Sequence, residues 1–213
     1  MLRLSPGPLR KILCLGAHAD DLEIGCGGTL LKLLAEQKHV SVHWIVFSGS
    51  AARATEARHS ADEFLRDAAA TDVQILSFRD SFFPYAGAEI KEVFAKLASS
   101  LSPDLIFTHR REDLHQDHRT LADLTWCAFR DHWILEYEIP KYEGDLGSPN
   151  VYVPLDAEVV DRKIGTLSAA FPSQHEKPWF SPETFYSLLR IRGLECNSPS
   201  RFAEAFHCRK LIL

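Results

Sequence analysis

The sequence predicts an α/β fold, a mostly parallel sheet with helices on both faces. Two observations predict it. Apolar runs of strand length alternate with segments of helical periodicity through the first two thirds of the chain, in the β-α-β-α-β-α-β order that builds such sheets. The 213 residues, 46% apolar and 25% charged, suit a single domain with a full core spanning residues 1–213.

The elements follow in order. Ile12-Leu13-Cys14-Leu15-Gly16 is an apolar run ending in Gly, a buried first strand. Over 24–38, Leu30, Leu31 and Leu34 mark one face of a helix. Residues 40–48 are apolar and β-branched or aromatic, a second strand. Residues 54–70, rich in Ala, Glu and Arg, read as a helix. Val73-Gln74-Ile75-Leu76-Ser77-Phe78 is a third strand. Ile90, Val93, Phe94, Leu97 and Leu101 fall at helical spacing, and Pro103 ends that helix. Residues 104–109 form a fourth strand and 118–131 a helix. In the last third, 151–155 reads as a strand. Val160, Ile164, Leu167 and Phe171 make a helix face that ends at Pro172. Ser181-Pro182-Glu183 opens a further helix, with Ser at the N-cap and Pro at the first helical position. Residues 202–213 close the domain.

The formal charge of −5 argues against a broad nucleic-acid surface and leaves room for a small basic pocket. The five cysteines, Cys14, Cys26, Cys127, Cys196 and Cys208, form no CxxC pair. Reduced thiols in a cytoplasmic protein are the simplest reading. The segment 1–8 lacks the apolar run of a signal peptide, and no apolar stretch approaches the roughly 20 residues of a membrane-spanning helix.

Two polar clusters interrupt this pattern, and both fall where a strand gives way to a helix. The first is Ala17-His18-Ala19-Asp20-Asp21 after strand 1; the second is His115-Gln116-Asp117-His118 after strand 4. In open doubly wound sheets the strand order often runs 3-2-1-4, so strands 1 and 4 are adjacent and their loops border a crevice. The two clusters are then expected to meet there.

Catalytic zinc takes about three protein ligands and keeps a position for water. His18 and Asp21, three apart across a turn, both reach one ion, and His118 supplies a third ligand. Asp20 is then the general base, since consecutive side chains diverge and it lies over the water rather than on the ion. His115 and Asp117 fit a second role. A carboxylate beside an imidazole fixes its tautomer and favours its protonated form. A charged His115 stabilises an oxyanion or protonates a leaving amine. Two imidazoles and a carboxylate suit Zn2+, Fe2+ and Co2+ alike. Each cluster taken singly also reads as turn formers, caps and a surface charge pair. Both at paired strand ends favour a metal-dependent hydrolase. His39, His43, His59, His132 and His207 read as structural or exposed.

At these residues the chain resembles the zinc-dependent N-acetyl-sugar deacetylases of the LmbE / PIG-L type. That family carries Ala-His-Pro-Asp-Asp after its first strand and His-x-Asp-His after a later one; here Ala19 replaces the Pro. The resemblance implies a Rossmann-like fold, zinc on His18, Asp21 and His118, Asp20 as base and His115 as electrostatic partner. Gly25-Cys26-Gly27-Gly28-Thr29-Leu30 resembles the family's glycine-rich helix start, which we read as close helix-to-sheet packing; no G-x-G-x-x-G spacing is present. Arg53-Ala54-Thr55-Glu56-Ala57 resembles a family segment whose Arg reaches the substrate, so Arg53 is a substrate-binding candidate. Asp80 matches an Asp after the third strand. The stretch 137–146, containing Tyr142, resembles members associated with carbohydrate biosynthesis, and Ser173-Gln174-His175 and Trp179-Phe180 resemble segments near the pocket.

The implied activity is hydrolysis of the acetamide of an N-acetylated sugar, sugar nucleotide or glycoside, releasing acetate and an amino sugar. The implied partner is a small acetamido-sugar, and a homo-oligomer is compatible with the sequence. The rivals are a zinc amidase acting on a thiol conjugate or antibiotic intermediate, and a nucleotide-sugar-binding protein without catalysis. A Rossmann methyltransferase or dehydrogenase is a weaker rival and predicts a cofactor in place of a tightly held metal.

Overall fold

The first strand, β1 (Lys11–Gly16), is buried from Ile12 onward because it sits between two parallel neighbours. On one side lies β2 (Ser41–Val46) and on the other β4 (Leu105–His109). Beyond β2 the sheet is extended by β3 (Ala70–Ile75), and beyond β4 by β5 (Trp133–Tyr137), both parallel. This computed structural model describes residues 7–212; most of the N-terminal segment read for a targeting signal lies outside the described residues, as does Leu213. The order 3-2-1-4 is the one the sequence predicts, and it makes β1 and β4 direct neighbours.

Two more strands complete a seven-stranded sheet of order 3-2-1-4-5-7-6. The strand β7 (Ala203–His207) runs antiparallel to β5, and β6 (Val151–Pro154) runs antiparallel to β7 at the far edge. The sequence reading has no strand at β5. Its five residues include Glu136, a charge inside a short apolar run. The fold tolerates that charge because Trp126 Nε1 and the Arg111 N–H donate to its carboxylate.

Successive strand residues point to opposite faces, and the two faces carry separate apolar layers. Ile12, Cys14, Val42, Trp44 and Phe107 pack under α1 (Asp21–Glu36), α2 (Ala51–Phe64), α5 (Ala157–Ala170) and α6 (Pro182–Glu195). Leu13, Leu15, Ile45, Phe47 and Ile106 pack against α3 (Gly87–Ser100) and α4 (Gln116–Ala128). Helices α1 and α4 therefore leave neighbouring strands on opposite sides, which opens the crevice between them.

One boundary moved. The Ala-rich composition predicts a helix to residue 70, but α2 stops at Phe64 and β3 begins at Ala70. Ala69 N–H donates to Val40 O, and Ala70 stands opposite Ser41, so strand pairing overrides helix propensity there. The glycine-rich start of α1 is a packing device, as expected. A Cβ at Gly25 would lie 2.2 Å from the Tyr137 ring, and one at Gly27 would lie 2.6 Å from Phe64. No helix among the described residues is long and apolar enough to cross a membrane.

Candidate metal centre

The turn between β1 and α1 closes on itself. Asp21 Oδ2 accepts the His18 N–H at 2.6 Å, and Ser48 N–H donates to Ala17 O at 2.8 Å. Ala19, where the related motif has Pro, is buried, and the turn forms without it. Asp20 sits at the N-cap of α1 but makes no capping hydrogen bond, so its side chain is not there as a helix cap. From the second cluster, His118 projects off the first turn of α4, adjoining β4.

The two clusters meet. His118 Nε2 lies 3.2 Å from His18 Nδ1, across 100 positions of sequence. Asp21 closes the triangle, with Oδ2 3.5 Å from His18 Nδ1 and Oδ1 3.7 Å from His118 Nε2. Zinc bonds of 2.0–2.1 Å in a tetrahedron hold neighbouring donor atoms about 3.3–3.4 Å apart. Two imidazole nitrogens and a carboxylate at these separations fit one small divalent cation.

Each donor is aimed by a partner on its far side. Beyond His18, Nε2 faces Asp80 Oδ1 at 3.2 Å and Asp117 Oδ2 at 3.3 Å. On His118 the outer nitrogen, Nδ1, lies 3.0 Å from Asp113 Oδ2. The inner nitrogens, His18 Nδ1 and His118 Nε2, are thereby left to face the ion. His109, at the end of β4, stacks on His118 with centroids 3.8 Å apart, and its Nε2 lies 3.1 Å from Asp21 Oδ2. Its Nδ1 is buried without a partner.

The electrostatics suit a cation. Burial pushes Asp21 up, but His118, His109 and His18 outweigh it and hold the carboxyl well below its ordinary range. Asp113 is likewise held below the usual carboxylate range, its burial outweighed by the hydrogen bond from His118 and by nearby positive charge. Burial, reinforced by His109, pushes His118 down to about 3, so the ring is neutral and able to donate a lone pair. Burial also opposes charge on His18, yet Asp21 foremost, with Asp117 and Asp80, holds that imidazole well above its ordinary value.

Asp20 stands beside the triangle with its two oxygens in different settings. Oδ1 accepts from Arg53 Nη2 at 2.8 Å, while Oδ2 is buried with no hydrogen-bond partner among the described residues. Burial raises its carboxyl above the ordinary value, and Arg53 opposes that rise. The Arg53 guanidinium is itself fixed, 3.5 Å from Glu56, 3.4 Å from Ser173 Oγ and 5.2 Å from the Phe171 ring centroid. Ser173 thus reaches the site through Arg53. His175 turns away, donating to Ser168 O, and Tyr142 is exposed.

His115 and Asp117 depart from the expected pairing. The Asp117 carboxylate accepts the N–H groups of Ser81 and Phe83 and faces His18; among the described residues no side-chain bond joins it to the His115 ring. The two residues meet instead through the backbone: Asp117 N–H donates to His115 Nδ1 at 3.2 Å, the N-cap bond of α4. Nor is the ring expected to be charged. Burial first, then the positive His18, lowers its pKa. Neutral His115 with Nδ1 as acceptor carries its proton on Nε2.

Sequence reasoning missed His109, Asp113 and Lys141, whose Nζ lies 2.9 Å from Asp113 Oδ2. The signal for Asp113 was its place five residues before His118; Lys141 lies in the stretch 137–146 singled out by resemblance, but nothing in that stretch pointed to Asp113.

A family model described as "PIG-L: GlcNAc-PI de-N-acetylase" matches residues 13–129, which include both clusters. The uncharacterized deacetylase YaiS of Escherichia coli (strain K12) is 26% identical over 175 residues, covering 77% of this chain and 92% of its own. Among solved structures, N,N'-diacetylchitobiose deacetylase from Pyrococcus horikoshii, in complex with its inhibitor MPG, superposes with a TM-score of 0.71 at 19% identity, covering 94% of this chain and 84% of its own. The 4-carboxy-2-hydroxymuconate hydratase GalB from Pseudomonas putida KT2440 superposes with a TM-score of 0.72 at 16% identity, covering 96% and 98%. These likenesses to solved structures establish a shared fold.

Proposed function

The chain belongs to the PIG-L family of de-N-acetylases and is a deacetylase-type hydrolase of that family; from this premise we propose that it removes acetyl from an N-acetylated sugar, sugar nucleotide or glycoside. One observation carries the proposal. Three donor residues stand 3.2 to 3.7 Å from one another while Asp20, in the same turn, presents a buried oxygen with no hydrogen-bond partner among the described residues.

His18, Asp21 and His118 would hold the metal, which we take to be zinc, although the donor set suits Fe2+ and Co2+ as well. Bound zinc supplies Lewis acidity toward a water and toward the amide carbonyl. The remaining work falls to the chain. Asp20 Oδ2 takes a proton from the attacking water, with Oδ1 anchored by Arg53 so that the free oxygen keeps one orientation. The water oxygen bonds to the acetamide carbon. His115 donates its Nε2–H to the oxyanion that develops there; a neutral imidazole serves this purpose. The C–N bond then breaks, and the proton held by Asp20 passes to the leaving nitrogen. Acetate and a free amine result. Arg53 borders the same space and is the substrate-binding candidate.

Acetate release from a panel of acetamido sugars and their nucleotides and glycosides, run beside thiol-conjugate and antibiotic amides, tests the reading. Turnover of an acetamido sugar that is lost in Asp20→Ala supports it. Turnover confined to the other amides moves the assignment to the amidase alternative. The absence of turnover in the zinc-loaded protein, with tight binding of a nucleotide sugar, leaves the binding role.

A further inference from the structure

Asp113 spends its whole carboxylate on the two site histidines and one lysine. Oδ2 accepts from His118 Nδ1 at 3.0 Å and from Lys141 Nζ at 2.9 Å; Oδ1 accepts the His115 N–H at 2.8 Å. The Lys141 ammonium is in turn shared with Asp145 at 2.6 and 2.7 Å, and Asp145 Oδ2 accepts the Leu114 N–H at 2.6 Å. All three charged side chains are at least nine-tenths buried or nearly so, at 3%, 11% and 7% exposure for Asp113, Lys141 and Asp145. A single positive charge thus lies between two buried carboxylates, and it comes from the segment after β5, outside both motifs.

We propose that Lys141 is a positioning residue for the metal centre, acting through Asp113 on His118. The inference rests on the reading of His118 as a metal ligand. Without the ammonium, the buried carboxylates of Asp113 and Asp145 lose the charge they share, and their mutual repulsion favours turning apart. Once Asp113 turns, His118 Nδ1 loses its acceptor. Nothing then keeps the ring proton off Nε2, the nitrogen that faces His18 and Asp21. Partners of this kind, one step behind a ligand, are worth about 10–100-fold in metal affinity. The chain after β5 therefore contributes to holding the ion without touching it.

Zinc affinity of the full chain, measured by competition with a chromophoric chelator, tests this directly. Lys141→Met is expected to bind zinc about 10–100-fold more weakly and to melt lower in its metal-free form, because two buried carboxylates lose their counter-charge; Lys141→Arg is expected to restore affinity to within about threefold, and in an Asp113→Asn background Lys141→Met is expected to weaken zinc binding no further. With zinc in excess, kcat in Lys141→Met recovers while KM stays at the wild-type value, because the Lys141 ammonium is taken up by Asp113 and Asp145. Wild-type affinity in Lys141→Met overturns the proposal. So does an Arg variant as weak as the Met variant, or a Lys141→Met loss of undiminished size in the Asp113→Asn background. A wild-type chain that takes up no divalent metal overturns this proposal and the hydrolase reading together. Weakened zinc binding in the Met variant of a chain that cleaves no amide overturns the hydrolase reading alone.

Discussion

Asp117 Oδ2 lies 3.3 Å from His18 Nε2, although His115 is its neighbour in sequence. The same carboxylate receives the N–H groups of Ser81 and Phe83, at 2.6 and 3.1 Å, so it ties a metal-ligand candidate to the loop after β3. Asp117→Ala removes the acceptor behind His18 and leaves two amides without theirs. We expect zinc affinity to fall about 10–100-fold and stability to fall by roughly 1–3 kcal/mol per stranded amide. Chelator competition and thermal unfolding of the metal-free protein measure the two losses separately. Unchanged zinc affinity would show that Asp80 alone suffices to aim His18.

Asp20 and Arg53 predict a shift in pH dependence whose sign follows from their contact. If Asp20 is the base, as proposed, it acts as a carboxylate, so activity rises as Asp20 ionises. Arg53 favours that ionised form against the burial that opposes it. Arg53→Met should therefore move the acid limb of the kcat/KM profile to higher pH, whereas Asp20→Asn should lower kcat by about 10²–10⁴ at every pH. An Arg53→Met profile displaced toward lower pH would sink the assignment of Asp20 as base.

The legible parts of this protein were those written locally. Strands 1 to 4 are apolar runs of the right length, and their alternation with helices, joined to the order 3-2-1-4 common in such sheets, predicts β1 and β4 as neighbours; the meeting of His18, Asp21 and His118 follows from that adjacency. The rest depends on which atom faces which. His109 ends a strand like any other residue, and only coordinates reveal that it stacks on His118. Asp117 was paired with His115 because they are two residues apart, but entry into a helix turns its side chain toward His18 instead. Lys141 reaches Asp113 from beyond β5, and β5 itself was hidden by Glu136, whose charge is satisfied only through the tertiary partners Trp126 and Arg111.

Glu23 predicts a pH effect on stability. It is fully buried in α1, neither oxygen has a partner among the described residues, and burial foremost raises its pKa from 4.5 to about 8. A carboxyl whose pKa is higher folded than unfolded makes the folded state bind the extra proton. Its contribution is complete below about pH 4.5 and is lost as pH rises through about 8. Glu23→Gln should flatten that decline. Between pH 5 and pH 9 the stability difference between the two proteins should shift by roughly 4 kcal/mol in favour of the Gln variant. Parallel denaturant curves for the two proteins across this range would contradict the assignment.

His115 serves two purposes that one substitution can separate. Its Nδ1 caps α4 by accepting the Asp117 N–H, and in the proposed mechanism its Nε2–H is the donor offered to the oxyanion. Asn is among the best N-cap residues, and its side-chain oxygen can accept the same amide, but its short amide does not extend to where the imidazole Nε2 lies. His115→Asn should keep the thermal stability of the wild type within about 0.5 kcal/mol and lose about 10²–10³ in kcat, the loss typical of an oxyanion donor. His115→Ala should lose both, with the missing cap costing about 1 kcal/mol. Thermal unfolding beside steady-state acetate release decides between the outcomes: if His115→Asn keeps wild-type kcat, the residue is a helix cap and the oxyanion donor must be sought elsewhere.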